Sequence, residues 1–150
     1  MFLPFARSRQ VRATPIRSGN ESMLEELIQK ATAVRLCGYA PYSKYLVGAA
    51  LLTSDGKIFT GCNVENGVLG LSICAERVAI TQAVAEGHRK FEQIVIAASP
   101  LAPPCGSCRQ FMIEFGDQIQ VVSIDTSTQE SKSWTSGELL PDYFKLNRQS

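Results

Sequence analysis

Three cysteines and one carboxylate carry the chemistry that this sequence can do. Cys74 opens the tripeptide Cys74-Ala75-Glu76, and Cys105 and Cys108 form a Cys-x-x-Cys pair within Pro104-Cys105-Gly106-Ser107-Cys108. The pair spacing puts two sulfurs on one face of a helical turn, and the third comes from a separate part of the chain. Sulfur ligands in such a set suit Zn2+. Three of them leave one tetrahedral position for water, and an open position marks a catalytic zinc site rather than a structural one. Zinc lowers the pKa of bound water to about 7. Glu76 stands two residues from Cys74, near enough to exchange a proton with that water without binding the metal. The residues point to a metal-assisted hydrolysis.

A fourth protein ligand would close the site and leave a non-catalytic, zinc-stabilised module. Cys62 and His88 are the candidates. Cys62 ends a predicted strand and reads as a core residue; His88 follows a helix stop at Gly87 and reads as a surface residue. Cys37, near a helix end, reads as packing. Arg109, next to Cys108, reads equally as a structural residue or as a neighbour of the metal. The cysteines number five, an odd count, and the Cys-x-x-Cys pattern favours metal over disulfides.

The elements that must position these residues follow from periodicity. A helix is predicted over Glu21–Leu36, with apolar residues at Met23, Leu24, Leu27, Ile28, Ala31 and Val34. Val47–Leu52 is a buried-type strand, Ser54–Lys57 a hairpin turn, and Ile58–Asn63 the returning strand. Glu65–Ser72 is a loop. Helices are predicted over Cys74–Glu86 and Cys105–Phe115, so both cysteine motifs fall at helix N-termini. Free N–H groups and partial positive charge there stabilise thiolates. Strands are predicted at Phe91–Ser99 and Val121–Asp125, a polar loop runs to Ser133, and Trp134–Leu140 is a short edge strand or a last helical piece. The order α-β-β-α-β-α-β implies an α/β protein, a three-layer α/β/α sandwich with a mixed β-sheet.

Bulk properties narrow the function. A formal net charge of +1 offers no general attraction for nucleic acid or an anionic membrane. No apolar run approaches the roughly 20 residues of a membrane-spanning helix. Residues 1–20 carry Arg7, Arg9, Arg12 and Arg17 and no acid. They read as a disordered basic tail, although an organelle transit peptide has the same composition. Residues 21–150 are expected to form the catalytic domain, in a cytoplasmic protein.

Five blocks carry a resemblance to a known family. They are PYSKYLVGAALL (Pro41–Leu52), DGKIFTGCNVEN (Asp55–Asn66), ICAERVAI (Ile73–Ile80), PCGSCRQ (Pro104–Gln110) and ELLPDYF (Glu138–Phe144). In this order they resemble the small three-cysteine zinc cytidine deaminases of pyrimidine salvage, relatives of the nucleobase deaminases with a Pro-Cys-x-x-Cys signature. The resemblance implies hydrolysis of cytidine and 2′-deoxycytidine to uridine and 2′-deoxyuridine with release of ammonia. It implies Cys74, Cys105 and Cys108 as zinc ligands and Glu76 as the proton carrier. Asn63 and Glu65 match residues that hold ribose hydroxyls, Tyr45 an aromatic beside the pyrimidine, and Ala75 a substrate-binding position. Phe144 matches an aromatic that closes the pocket of a neighbouring subunit in a homotetramer, and Arg77 an arginine that hydrogen-bonds a ligand sulfur. Leu46 stands where the family commonly has proline, and Leu69 where it often has an aromatic.

Other substrates compete with this reading. A deaminase of another aminopyrimidine nucleoside or of a nucleoside antibiotic would share the metal chemistry, and Asn63 with Glu65 favours a ribose over a free base. A polynucleotide deaminase needs a basic groove and stacking platforms, for which a net charge of +1 and one Trp give little support.

Overall fold

A computed structural model describes residues 21–146. The basic tail 1–20 lies outside the described residues. The elements are α1 (Glu21–Arg35), β1 (Gly48–Thr53), β2 (Ile58–Cys62), a 3-10 turn at Leu69–Leu71, α2 (Ala75–Ala85), β3 (Phe91–Ala98), α3 (Gly106–Ile113), β4 (Gln120–Asp125), β5 (Ser131–Thr135) and α4 (Ser136–Leu139). One sheet runs in the order β2-β1-β3-β4-β5. Only β3 and β4 are parallel neighbours; the other pairs are antiparallel, so the sheet is mixed.

Strands β1, β3 and β4 are buried on both faces, as their near-continuous apolar runs require. Each face has its own core. Leu27 and Ala31 of α1 pack on Ala50, Leu52, Val95, Ala97, Val122 and Ile124. On the other face, Ala75, Ala79, Ile80 and Ala83 of α2 and Cys108 and Met112 of α3 cover Ala49, Leu51, Ile94, Ile96 and Val121. Helices on both faces of a mixed sheet give the three layers expected from element order.

Several boundaries differ from the periodic reading. Cys74 and Cys105 are N-caps rather than first helical residues. The polar stretch read as loop to Ser133 contains most of β5, paired through Val121↔Trp134 and Val122↔Ser133. An exposed edge strand needs no alternating apolar residues, so Ser-Lys-Ser carried no signal. The segment Trp134–Leu140 is both of its alternatives in turn, the end of β5 and then α4. A capping box starts α4: Glu138 N donates to Thr135 Oγ1 at 3.1 Å, and Thr135 N to Glu138 Oε2 at 2.7 Å.

Two glycines let helices approach the sheet. A Cβ on Gly48 would collide with the Ala31 carbonyl oxygen of α1. One on Gly61 would sit 2.5 Å from both Ala75 O and Ala79 N, so the first turns of α2 rest directly on β2. Substituting Gly61→Ala is expected to push α2 outward at a cost of about 1–3 kcal/mol, as overpacking does. A lower midpoint of urea unfolding together with weakened zinc retention checks this; unchanged stability would show that α2 has room to yield.

Candidate active site

Sheet topology decides where the chemistry gathers. Strand β1 is antiparallel to both β2 and β3, so β2 and β3 point the same way. Their C-terminal ends therefore lie on one sheet edge, and α2 and α3 begin there. Cys74 and Cys105 cap those helices in extended conformation, and Cys108 sits in the first turn of α3, fully buried. The three sulfurs lie within 4.8 Å of one another, with Cys74 Sγ and Cys105 Sγ 3.8 Å apart. Two Zn–S bonds of about 2.3 Å at the tetrahedral angle separate their sulfurs by about 3.8 Å. The donor set and its spacing fit zinc.

The two candidate fourth ligands lie outside this cluster. His88 Nδ1 is 3.2 Å from Asp55 Oδ1, and its ring packs on Phe59 with centroids 5.2 Å apart. His88 is thus half-buried rather than a surface residue, because the turn after α2 folds back onto β2. Cys62 is half-buried at the end of β2. Cys37 is exposed in the turn after α1, which corrects its reading as a packing residue.

Charge is distributed unevenly over the sulfurs. The Cys108 thiol hydrogen-bonds the Cys74 sulfur and, with Arg77, lowers Cys74 to about 5. The same contact and burial push Cys108 up. Arg77 Nη2 lies 3.9 Å from Cys74 Sγ and donates to Ser72 O at 3.2 Å. Glu76, one residue into α2, is only 4% exposed. Burial pushes its carboxyl up, and the neighbouring Cys74 adds to the rise. A carboxyl raised in this way binds a proton more readily than an exposed one, as a group that shuttles protons must.

A cavity of about 350 Å³ opens beside this cluster, lined among others by Tyr45, Asn63, Glu65, Cys74, Glu76 and Cys105. Its floor is Ile96 and Ala98 of β3, and Ala102 and Pro103 form a wall. Asn63 Oδ1 accepts from Val47 N at 2.9 Å and its Nδ2 donates to Tyr45 O at 2.8 Å. This bidentate clasp continues the β1–β2 pairing one residue beyond the strands. Glu65 Oε2 accepts from the Tyr42 and Ser43 amides at 2.9 and 3.2 Å. Hydrogen bonds from Ser43 and Tyr42 hold the Glu65 carboxyl below the ordinary range. Tyr45 Oη donates to Pro100 O at 2.6 Å across the pocket.

Two of the substrate-binding residues named from the sequence, Ala75 and Phe144, stand apart from the cavity. Ala75 is buried with its carbonyl against Gly61. Phe144 is 69% exposed, and its carbonyl accepts from Gln110 Nε2 of α3 at 3.0 Å. Sequence reasoning passed over Asp125, which closes β4 and ties the Leu101 amide at 3.0 Å. An acid ending an apolar strand before Thr-Ser-Thr was the available signal, since such residues cap tight turns.

The family described as the cytidine and deoxycytidylate deaminase zinc-binding region matches residues 21–124. The chain belongs to that family. This deaminase is 48% identical over 129 residues to a probable cytidine deaminase of Dictyostelium discoideum, covering 83% of this chain and 86% of that one. It is 40% identical to the cytidine deaminase of Sporosarcina psychrophila, covering 81% and 90%. The crystal structure of cytidine deaminase from Burkholderia pseudomallei superposes with a TM-score of 0.76 at 46% identity, covering 80% of this chain and 98% of that one. The chain is a zinc-dependent deaminase with the same mixed-sheet fold.

Metal uptake by this deaminase must displace protons. Cys74 is a thiolate above about pH 5, whereas Cys108 keeps its proton until the metal arrives. Zinc affinity is expected to weaken as pH falls, and more steeply below about pH 5, where Cys74 must also lose a proton. Chelator competition across that range, with calorimetry in buffers of different protonation enthalpy, measures it. Affinity independent of pH would contradict thiol ligation.

Proposed function

We propose that the chain hydrolyses the 4-amino group of cytidine and 2′-deoxycytidine, giving uridine or 2′-deoxyuridine and ammonia. The observation that carries this reading is a buried carboxylate, Glu76, sharing one cavity with Cys74 and Cys105, whose sulfurs cluster with that of Cys108 behind them. The names of the relatives support it. Cys74, Cys105 and Cys108 would hold zinc, which supplies Lewis acidity and an acidified water for hydrolysis.

The protein groups divide the remaining work. Glu76 takes a proton from the attacking water and delivers it to N3 of the ring as the C4–O bond forms. It next carries the hydroxyl proton from C4 to the amino group. The C4–N bond breaks, ammonia leaves, and the product keeps its N3 proton. Burial that raises the Glu76 carboxyl favours both transfers. Arg77, at the Cys74 sulfur, offsets thiolate charge.

Substrate placement falls to the cavity wall. With its clasp made, Asn63 retains one N–H and one lone pair for a ribose hydroxyl, and Glu65 retains Oε1. Tyr45 lies beside the pyrimidine, its ring fixed by Pro100. Ala75 presents backbone at the start of α2. Phe144 and Leu69, both largely exposed in a single chain, complete neighbouring pockets in a homotetramer. Cysteines that hold zinc or stand without a disulfide suit a reducing compartment, the cytoplasm. No helix among the described residues is long and apolar enough to cross a membrane.

Purified protein mixed with cytidine or deoxycytidine is expected to show the ultraviolet change of deamination with stoichiometric ammonia. Glu76→Gln is expected to lower kcat by about 10²–10⁴-fold while retaining zinc. Undiminished ammonia release from that variant would remove Glu76 from the mechanism. Sedimentation is expected to give a tetramer; a fully active monomer would overturn the shared pocket.

A further inference from the structure

The segment that delivers Cys105 has little backbone with which to hold itself. Between β3 and α3 the chain runs Ser99-Pro100-Leu101-Ala102-Pro103-Pro104 and forms no regular structure. Three of its residues are prolines without an N–H, so Leu101 and Ala102 are the only backbone donors between Pro100 and Pro104. Yet this segment forms a cavity wall through Ala102 and Pro103 and ends on a proposed metal ligand.

One carboxylate ties it to the sheet. Asp125 pairs with Ala98 across β3 and β4, at the edge where both helices begin. Asp125 is buried, only 7% exposed. Oδ2 accepts from Leu101 N at 3.0 Å, and Oδ1 accepts from Ser127 N at 2.8 Å and Thr128 N at 3.3 Å. Those bonds, the Ser127 amide first, hold the carboxyl below its ordinary range. The hydroxyls of Ser99 and Ser127 lie 2.8 Å apart, joining the same two strand ends. Asp125 thus bridges the turn after β4 to the segment leading into Cys105.

We propose that Asp125 is a positioning residue for the metal ligand Cys105, acting through the Leu101 amide. It belongs neither to the lining of the cavity nor to the sulfur cluster. Tyr45 Oη on Pro100 O and Arg109 Nε on Pro104 O, at 2.6 and 2.8 Å, fasten the segment at either side of that bond. Among the described residues, Asp125 supplies the one tie to an N–H within it. The proposal rests on the assignment of Cys105 as a zinc ligand.

The experiment follows zinc release from the full-length holoenzyme to a chromogenic chelator, alongside the melting temperature. Asp125→Ala is expected to release zinc about tenfold faster, the usual effect of losing a group that orients a ligand. Asp125→Asn separates this role from turn capping. Asparagine caps such turns as aspartate does, but with its oxygen on Ser127 and Thr128 its NH2 faces the Leu101 N–H. It is expected to melt near the wild type and still release zinc faster. Thr53→Ala, at the opposite sheet edge, provides a destabilised control, since Thr53 Oγ1 bonds Asp55 and Lys57 far from the sulfurs. Release from Asp125→Asn at the wild-type rate, or from Asp125→Ala no faster than from Thr53→Ala, would overturn the proposal. Wild-type protein without stoichiometric zinc would instead remove the ligand assignment, and the positioning role with it.

Discussion

Three sulfurs within 4.8 Å of one another repel as soon as more than one is ionised. At 3.8 Å and an effective dielectric of about 20, ionising both Cys74 and Cys105 costs about 4 kcal/mol. The fold must offset that repulsion before a metal arrives. It does so by pointing two helix N-termini at one spot and adding the Arg77 guanidinium. In the metal-free chain the remaining repulsion is relieved by a proton, which Cys108 keeps and shares with Cys74. A dication then finds a site whose charge is already half prepared.

The same edge of the sheet solves the second problem, which is to bury an acid without neutralising its purpose. Glu76 follows Cys74 by two residues, so whatever fixes the first helical turn fixes both the sulfur and the carboxylate. Gly61 does this by letting α2 lie against β2 closer than any side chain allows. The cavity in front of Glu76 is walled by irregular chain held through side chains: Asn63 clasping the backbone around Tyr45 and Val47, Glu65 gathering the amides of Tyr42 and Ser43, and Asp125 holding Leu101. Loops that must stay in place for catalysis are here tied by carboxylates and amides because they lack a ladder of their own.

A good part of this was readable in order. The apolar spacing of α1 and the buried runs of β1, β3 and β4 were plain because two-sided burial leaves continuous hydrophobic stretches. The first half of strand β5 was hidden, since the exposed Ser131 and Lys132 and the partly buried Ser133 offer no apolar periodicity to read. His88 was misplaced at the surface because nothing local shows that Phe59 and Asp55 come to meet it.

The sequence by itself determined the chemistry: sulfur and carboxylate types, and the short spacings within Cys74–Glu76 and Cys105–Cys108 that a single helical turn converts into geometry. Tertiary structure alone decided that the two motifs meet. That outcome depends on β2 and β3 running in the same direction through an intervening antiparallel β1, a relation between strands distant in sequence. It also decided which polar residues hold the walls, because a hydrogen bond such as Leu101 to Asp125 links residues whose neighbourhood exists only once the sheet has formed.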